Sequence, residues 1–181
     1  MRSRLIVLTG LPGAGKSAIA EPLGVELATP VFSKDWIEAP ILKTELVPPE
    51  ALGAIGYDLL TALARRQLML GQSAILDSVA STASIRSAWR SLAREFDAEW
   101  LVIECICSDA RLHRERVSGR SREIPDWPEL GWADVERVSS YFEPWAEDRL
   151  ILDSVEPVTR NLEKAIRYVR ADRQLAERQI D

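Results

Sequence analysis

The residues best suited to chemistry are Gly10-Leu11-Pro12-Gly13-Ala14-Gly15-Lys16-Ser17, which satisfy GxxxxGK[ST] at every required position and directly follow the apolar run Leu5-Ile6-Val7-Leu8. This is a P-loop in its required setting, with a strand before it and a helix after it. The glycines let the backbone from Gly10 to Ala18 turn its N–H groups toward a bound phosphate, and the start of the next helix adds its positive end at the same point. In that arrangement Lys16 reaches the β- and γ-phosphates of a nucleoside triphosphate and Ser17 ligates Mg²⁺. The glycines read GxxGxG, so the dinucleotide fingerprint GxGxxG fits worse.

What happens to the phosphate depends on the groups around it. Asp35 follows the short run Pro30-Val31-Phe32-Ser33, about one strand-helix unit after Lys16. A carboxylate there suits the proton acceptor that phosphoryl transfer to a hydroxyl requires, or equally an N-cap for a helix starting at Trp36. Asp77, after Ala74-Ile75-Leu76, fits a second acid that orients water on Mg²⁺; Asp153, after Leu150-Ile151-Leu152, meets nearly the same pattern. Asp77 is preferred because the element order puts it nearer the P-loop. Ser78 follows it where a water-activating glutamate would stand in a motor ATPase, which favours transfer to a substrate over transfer to water.

Arg116 and Arg120, spaced i, i+4 ahead of a segment holding Pro125, Trp127 and Pro128, are placed to close over the phosphates and neutralise growing charge. Together with Arg111, Arg114 and Arg122 they also fit a solvated basic face. His113 reads as a surface residue. Trp36, Trp127 and Trp132 suit either stacking on a planar substrate or docking of the core and flap.

These residues need a frame that gathers strand ends. Apolar runs at 5–9, 30–33, 74–77, 100–107 and 149–153 alternate with helical patterns: Lys16 to about Leu27, a stripe of Leu52, Ile55, Leu59 and Leu63, another of Ile85, Trp89, Leu92 and Phe96, a helix capped by Ser108-Asp109, one resuming near Ala133, and a last stripe of Val158, Leu162, Ile166 and Val169. Strand-helix alternation with right-handed crossovers implies an α/β fold, a parallel sheet covered on both faces with its ligand site at the strands' carboxyl ends. The 181 residues are expected to form one domain, with a lid within about 111–132.

Composition narrows the partners. A net charge of −5 gives no general basic surface, so any nucleic-acid binding would run through the arginines of 111–122. No apolar run is long enough for a signal segment or membrane span. Cys105 and Cys107, at i, i+2 in one strand, share a face as core thiols, are poor disulfide partners, and with His113 alone make a poor zinc site; a reduced, cytoplasmic setting follows.

LIVLTGLPGAGKS, FSKDWI, AILDSVA and the strand ending CICS followed by RLHRERVSGR together resemble the small P-loop kinases of the AAA_33 type, which include polynucleotide-kinase-like and predicted small-molecule kinases. The similarity runs from Leu5 to about Val169. It implies an adenylate-kinase-like three-layer fold with sheet order 2-3-1-4-5, Asp35 as general base, and Arg116 and Arg120 as lid arginines on the ATP phosphates. The expected activity is Mg²⁺- and ATP-dependent transfer of the γ-phosphoryl group to a hydroxyl of a small-molecule acceptor. A polynucleotide or nucleoside 5'-hydroxyl kinase and a non-catalytic ATP-binding switch are the alternatives.

Overall fold

The computed structural model describes residues 2–119, 124–125 and 127–171. In chain order the elements are β1 (Arg4–Thr9), α1 (Lys16–Leu27), β2 (Val31–Ser33), α2 (Lys34–Lys43), α3 (Pro49–Met69), β3 (Ala74–Asp77), α4 (Ala83–Glu95), β4 (Glu99–Ile106), α5 (Ala110–Ser118), α6 (Trp132–Ser140), β5 (Leu150–Asp153) and α7 (Val158–Arg170). The five strands form one all-parallel sheet in the order β2-β3-β1-β4-β5, the order that the resemblance implies.

β1 lies at the centre, with Leu5 paired to Ala74 on one side and to Trp100 on the other. Alternate residues therefore feed two cores. Leu5 and Val7 pack with Leu60, Ala64, Trp89 and Leu92 from α3 and α4, whereas Ile6 and Leu8 pack with Ile19, Leu23, Ala165 and Val169 from α1 and α7. With both faces covered, the strand is a continuous apolar run. Among the described residues no helix is long and apolar enough to cross a membrane.

The buried faces differ from the expected stripes where small residues decide the packing. On α3 the buried line is Leu52, Gly56, Leu60, Ala64 and Leu68, while Leu59 and Leu63 are each 38% exposed. Gly56 and Ala64 weigh little in an apolar stripe, yet their small size lets the helix lie close to its neighbours. On α7 Val158 is half exposed and Asn161 is buried instead, its Nδ2 donating to Asp153 O at 2.7 Å. β4 ends at Ile106, so Cys107 stands beyond the strand and is half-buried; only Cys105 is a core thiol.

Candidate functional site

Between β1 and α1 the backbone takes positive φ at Gly10 (134°), Gly13 (79°) and Gly15 (93°), a turn that glycine makes readily, and α1 starts at Lys16. Lys16 Nζ donates to Leu11 O at 3.0 Å across the loop. A side chain at Gly13 would run into a Val117 methyl and the His113 ring, so α5 lies directly against the loop. His113 is accordingly not at the surface. It is 5% exposed, with Nε2 2.8 Å from Pro12 O, and Trp132 meets its ring edge-on at 5.3 Å. Arg114 sits over the same indole, its guanidinium carbon 4.8 Å from the ring centre. A lone histidine among arginines carries no sign of this in the sequence; Leu112 and Val117 in the same helix are its apolar company.

Ser33 and Leu8 flank Asp77 in the sheet register, which brings the ends of β2 and β1 to either side of it. Ser17 Oγ donates to Asp77 Oδ2 at 2.7 Å, and Oδ1 is buried without a hydrogen bond. Burial pushes this carboxyl up, and the Lys16 charge and the Ser17 bond work against that rise. Asp153 lies two strands from β1 and its Oδ1 accepts from Ser108 N and Val155 N, both at 3.1 Å, closing the turns after β4 and β5. Asp35 is in the first turn of α2, which begins at Lys34 with Ser33 as N-cap, so the helix does not start at Trp36 and Asp35 is not its cap.

Asp109 caps α5 by accepting from Arg111 N at 2.9 Å and Leu112 N at 3.0 Å. From the last turn of that helix Arg116 donates to Ser154 O and Oγ, both at 2.9 Å. α5 ends at Ser118 with Gly119 as its C-cap; Arg120, Arg122 and part of the expected lid lie outside the described residues.

Lys16, Ser17, Asp35, Asp77 and Arg116 all line one cleft of about 1000 Å³ at the carboxyl ends of the strands. A second cavity of about 260 Å³ lies against the other side of the loop, between Ala18, Cys105, Asn161 and Arg116.

The AAA_33 family profile, described as an AAA domain, matches residues 5–145. The chain belongs to the AAA_33 family. No curated protein matches it. Among solved structures, a putative kinase from Chloroflexus aurantiacus is 24% identical with a TM-score of 0.72, covering 93% of this chain and 94% of the other. A sugar kinase from Janibacter sp. is 18% identical with a TM-score of 0.69, over 92% of this chain and 94% of that one. The APS kinase of Mycobacterium tuberculosis in complex with AMPPNP and APS is 17% identical with a TM-score of 0.68, over 94% of this chain and 99% of its own. At these identities the likeness is one of fold, and this AAA_33 chain has the fold of a P-loop kinase.

Away from the loop, the cleft of this AAA_33 member is walled by residues that the sequence did not single out. Glu38, 3% exposed, takes a short ion pair from Lys34, whose ammonium also lies 4.8 Å from the centre of the Tyr57 ring. Burial pushes the Glu38 carboxyl up, and Lys34 opposes the rise. Tyr57 accepts from Ala80 N at 3.2 Å, and burial drives its phenol up to about 12. Behind this wall Arg86 is 4% exposed and donates to the carbonyls of Ala80, Ser81, Glu143 and Pro144 at 2.6–3.2 Å, stapling the loop after β3 to the segment after α6. Of the three tryptophans weighed for stacking, Trp127 lines the cleft, Trp36 is half exposed, and Trp132 is on His113.

The site fits a magnesium nucleotide. Asp77 Oδ1 has an unused acceptor capacity beside the Ser17 hydroxyl, and the N-terminus of α1, which a phosphate suits, has no side-chain cap. Among the described residues no group of three His, Cys, Asp or Glu side chains converges on one point. A cation at Ser17 and Asp77 would therefore take its remaining oxygens from phosphate and water, as Mg²⁺ commonly does.

Proposed function

We propose that this chain is an ATP-dependent kinase that transfers the γ-phosphoryl group to a hydroxyl of a small-molecule acceptor. The observation that carries the reading is that Asp35 lines the same cleft as Lys16, Ser17 and Asp77, with open volume beyond it for an acceptor. The amides from Gly10 to Ala18 and the Lys16 ammonium hold the phosphates. Ser17 and Asp77 hold Mg²⁺, which when bound supplies positive charge against the phosphate oxygens. Asp35 takes the proton of the attacking hydroxyl as its oxygen bonds to the γ-phosphorus and the bond to the β–γ bridging oxygen breaks, leaving ADP and a phosphate ester. Arg116, and Arg120 from the lid, meet the charge spread over the moving group. The kinase fold, and a neighbour of that fold solved with AMPPNP and APS, support a triphosphate in the loop. Two free cysteines support a reduced, cytoplasmic setting.

Asp35→Asn tests this directly. Asparagine keeps the shape but not the base, so acceptor-dependent phosphorylation is expected to fall about 10²- to 10⁴-fold. ATP affinity by calorimetry should hold, and stability should change by no more than about 0.3–1 kcal/mol, the value of an acid in a helix's first turn. Retained transfer, measured over a panel of hydroxylated metabolites and oligonucleotides, removes Asp35 as the base.

A further inference from the structure

The crown of the P-loop is a single tight turn. Leu11 comes first, Pro12 second and Gly13 third with φ 79°, and Ala14 N closes the turn by donating to Leu11 O at 3.2 Å. Proline holds its own φ near about −65°, which excludes the turns that need a positive φ at the second position. The positive φ at Gly13 then separates type II from type I. Types I and II differ by a flip of the central peptide, here Pro12–Gly13. Glycine accepts either sign of φ, so the dipeptide does not by itself choose which way that peptide faces.

His113 makes the choice. Its Nε2 lies 2.8 Å from Pro12 O, and because a carbonyl only accepts, the proton in this bond is on Nε2. The ring is held there from both sides. His113 N donates to Asp109 O at 2.9 Å in the first turn of α5, and the Trp132 indole that meets the ring edge-on is itself fixed by Nε1 donating to Glu136 Oε1 at 2.7 Å. A Cβ on Gly13 would stand 2.4 Å from a Val117 methyl and 3.2 Å from His113 Nε2, so only glycine lets α5 come this near. The Pro12–Gly13 peptide is trans, so Gly13 N–H points opposite to the Pro12 carbonyl, away from His113. Gly13 lines the cleft, and among the described residues no backbone group accepts from its N–H.

We infer that His113 is a positioning residue for phosphate: its Nε2–H holds the Pro12–Gly13 peptide with the Gly13 amide turned toward a bound polyphosphate. A flip to type I would present the Pro12 carbonyl in place of that amide, exchanging a donor for an oxygen that repels phosphate. Without the His113 bond both turns are populated, and affinity falls by the fraction of chains in the competent one. The inference rests on the loop's reading as a phosphate site and needs no phosphoryl transfer, so it is tested by binding.

The test pairs His113→Gln with His113→Asn. Both bury the same amide, but glutamine carries its N–H about as far from the backbone as Nε2, whereas asparagine stops one methylene short of Pro12 O. Calorimetry with Mg²⁺-ATP and with inorganic tripolyphosphate is expected to show the asparagine variant about tenfold weaker for both probes and the glutamine variant no more than about threefold weaker. Equal losses in the two variants, or none in either, overturn the inference, as does a loss confined to ATP, which would put the effect outside the phosphate contacts. A measurement on the unaltered chain stands free of any variant's folding: its nitrogen NMR spectrum should show the His113 ring carrying a proton on Nε2, and the Gly13 amide should shift when tripolyphosphate is added. A ring protonated on Nδ1 alone, or a Gly13 amide that does not respond, overturns the inference. If the unaltered chain binds neither probe, the phosphate assignment falls and this inference with it. The expected split between the two variants without transfer to any acceptor would overturn the kinase reading and uphold this one.

Discussion

The two halves of the cleft are made in different ways. The phosphate half comes from one stretch, Gly10 to Ala18, a glycine turn and a helix start, with Asp77 and His113 bonded to it from farther along the chain. The other half, where the proposed reaction would seat its acceptor, is lined from α2, α3, the loop after β3 and α6, and consists of side chains: Glu38 paired with Lys34, Tyr57 on Ala80, and Val138 and Tyr141. A site made of backbone can be shared by proteins that differ everywhere else, because nearly any sequence with the right glycines makes it. A site made of dispersed side chains is where one relative departs from another. On the proposed reading, substrate choice would belong to the second half and phosphate chemistry to the first.

The division can be broken by substitutions that ought to act on one half only. Lys16→Ala should have the largest effect: nucleotide binding or turnover is lost while the protein stays folded, because the ammonium faces the loop and the cleft and not either core. Unchanged ATP affinity by calorimetry in a folded variant would remove the phosphate assignment altogether. Arg116→Ala should come next, lowering kcat by about 10- to 100-fold with a smaller rise in KM for ATP, since its charge is needed most as the phosphoryl group moves. Equal changes in both would make it a ground-state contact that holds Ser154. Smallest is Tyr57→Phe, which removes the acceptor for Ala80 N and should cost about 1–3 kcal/mol by thermal melting while raising the acceptor's KM. If the KM for ATP rises equally, the halves are coupled through the loop after β3 and the division fails.

What the sequence discloses follows the same line. The P-loop octet is local, so its residue types alone require a strand, a turn and a helix start, and α1 begins and ends at the expected residues. The strands are short apolar runs and emerge within a residue or so of expectation. Asp77 and Asp153 could not be separated by pattern, because both end an apolar run; sheet order separates them, and only one stands beside Ser17. The face of α3 was misjudged because leucines at 59 and 63 outweigh Gly56 and Ala64 in any apolar count, while packing rewards the small residues. His113, Glu38 and Arg86 were illegible for a common reason. His113 and Arg86 are made tolerable to bury by partners far away in sequence, and Glu38, whose partner Lys34 is one helical turn away, by the close fit of α3 at Gly56, which its own neighbourhood does not disclose.

The position of β1 at the centre of the sheet sets an order of events during synthesis. Arg4–Thr9 is made well before its neighbours in the sheet, Ala74–Asp77 and Glu99–Ile106. At roughly 5–20 residues per second, the strand's second edge waits about 5–20 s for its partner to be translated. Throughout that interval an apolar strand presents open backbone, and an unpaired apolar strand invites pairing with other chains. The central strand that organises the finished site is thus a segment that gains from a chaperone's cover until its partners have left the ribosome.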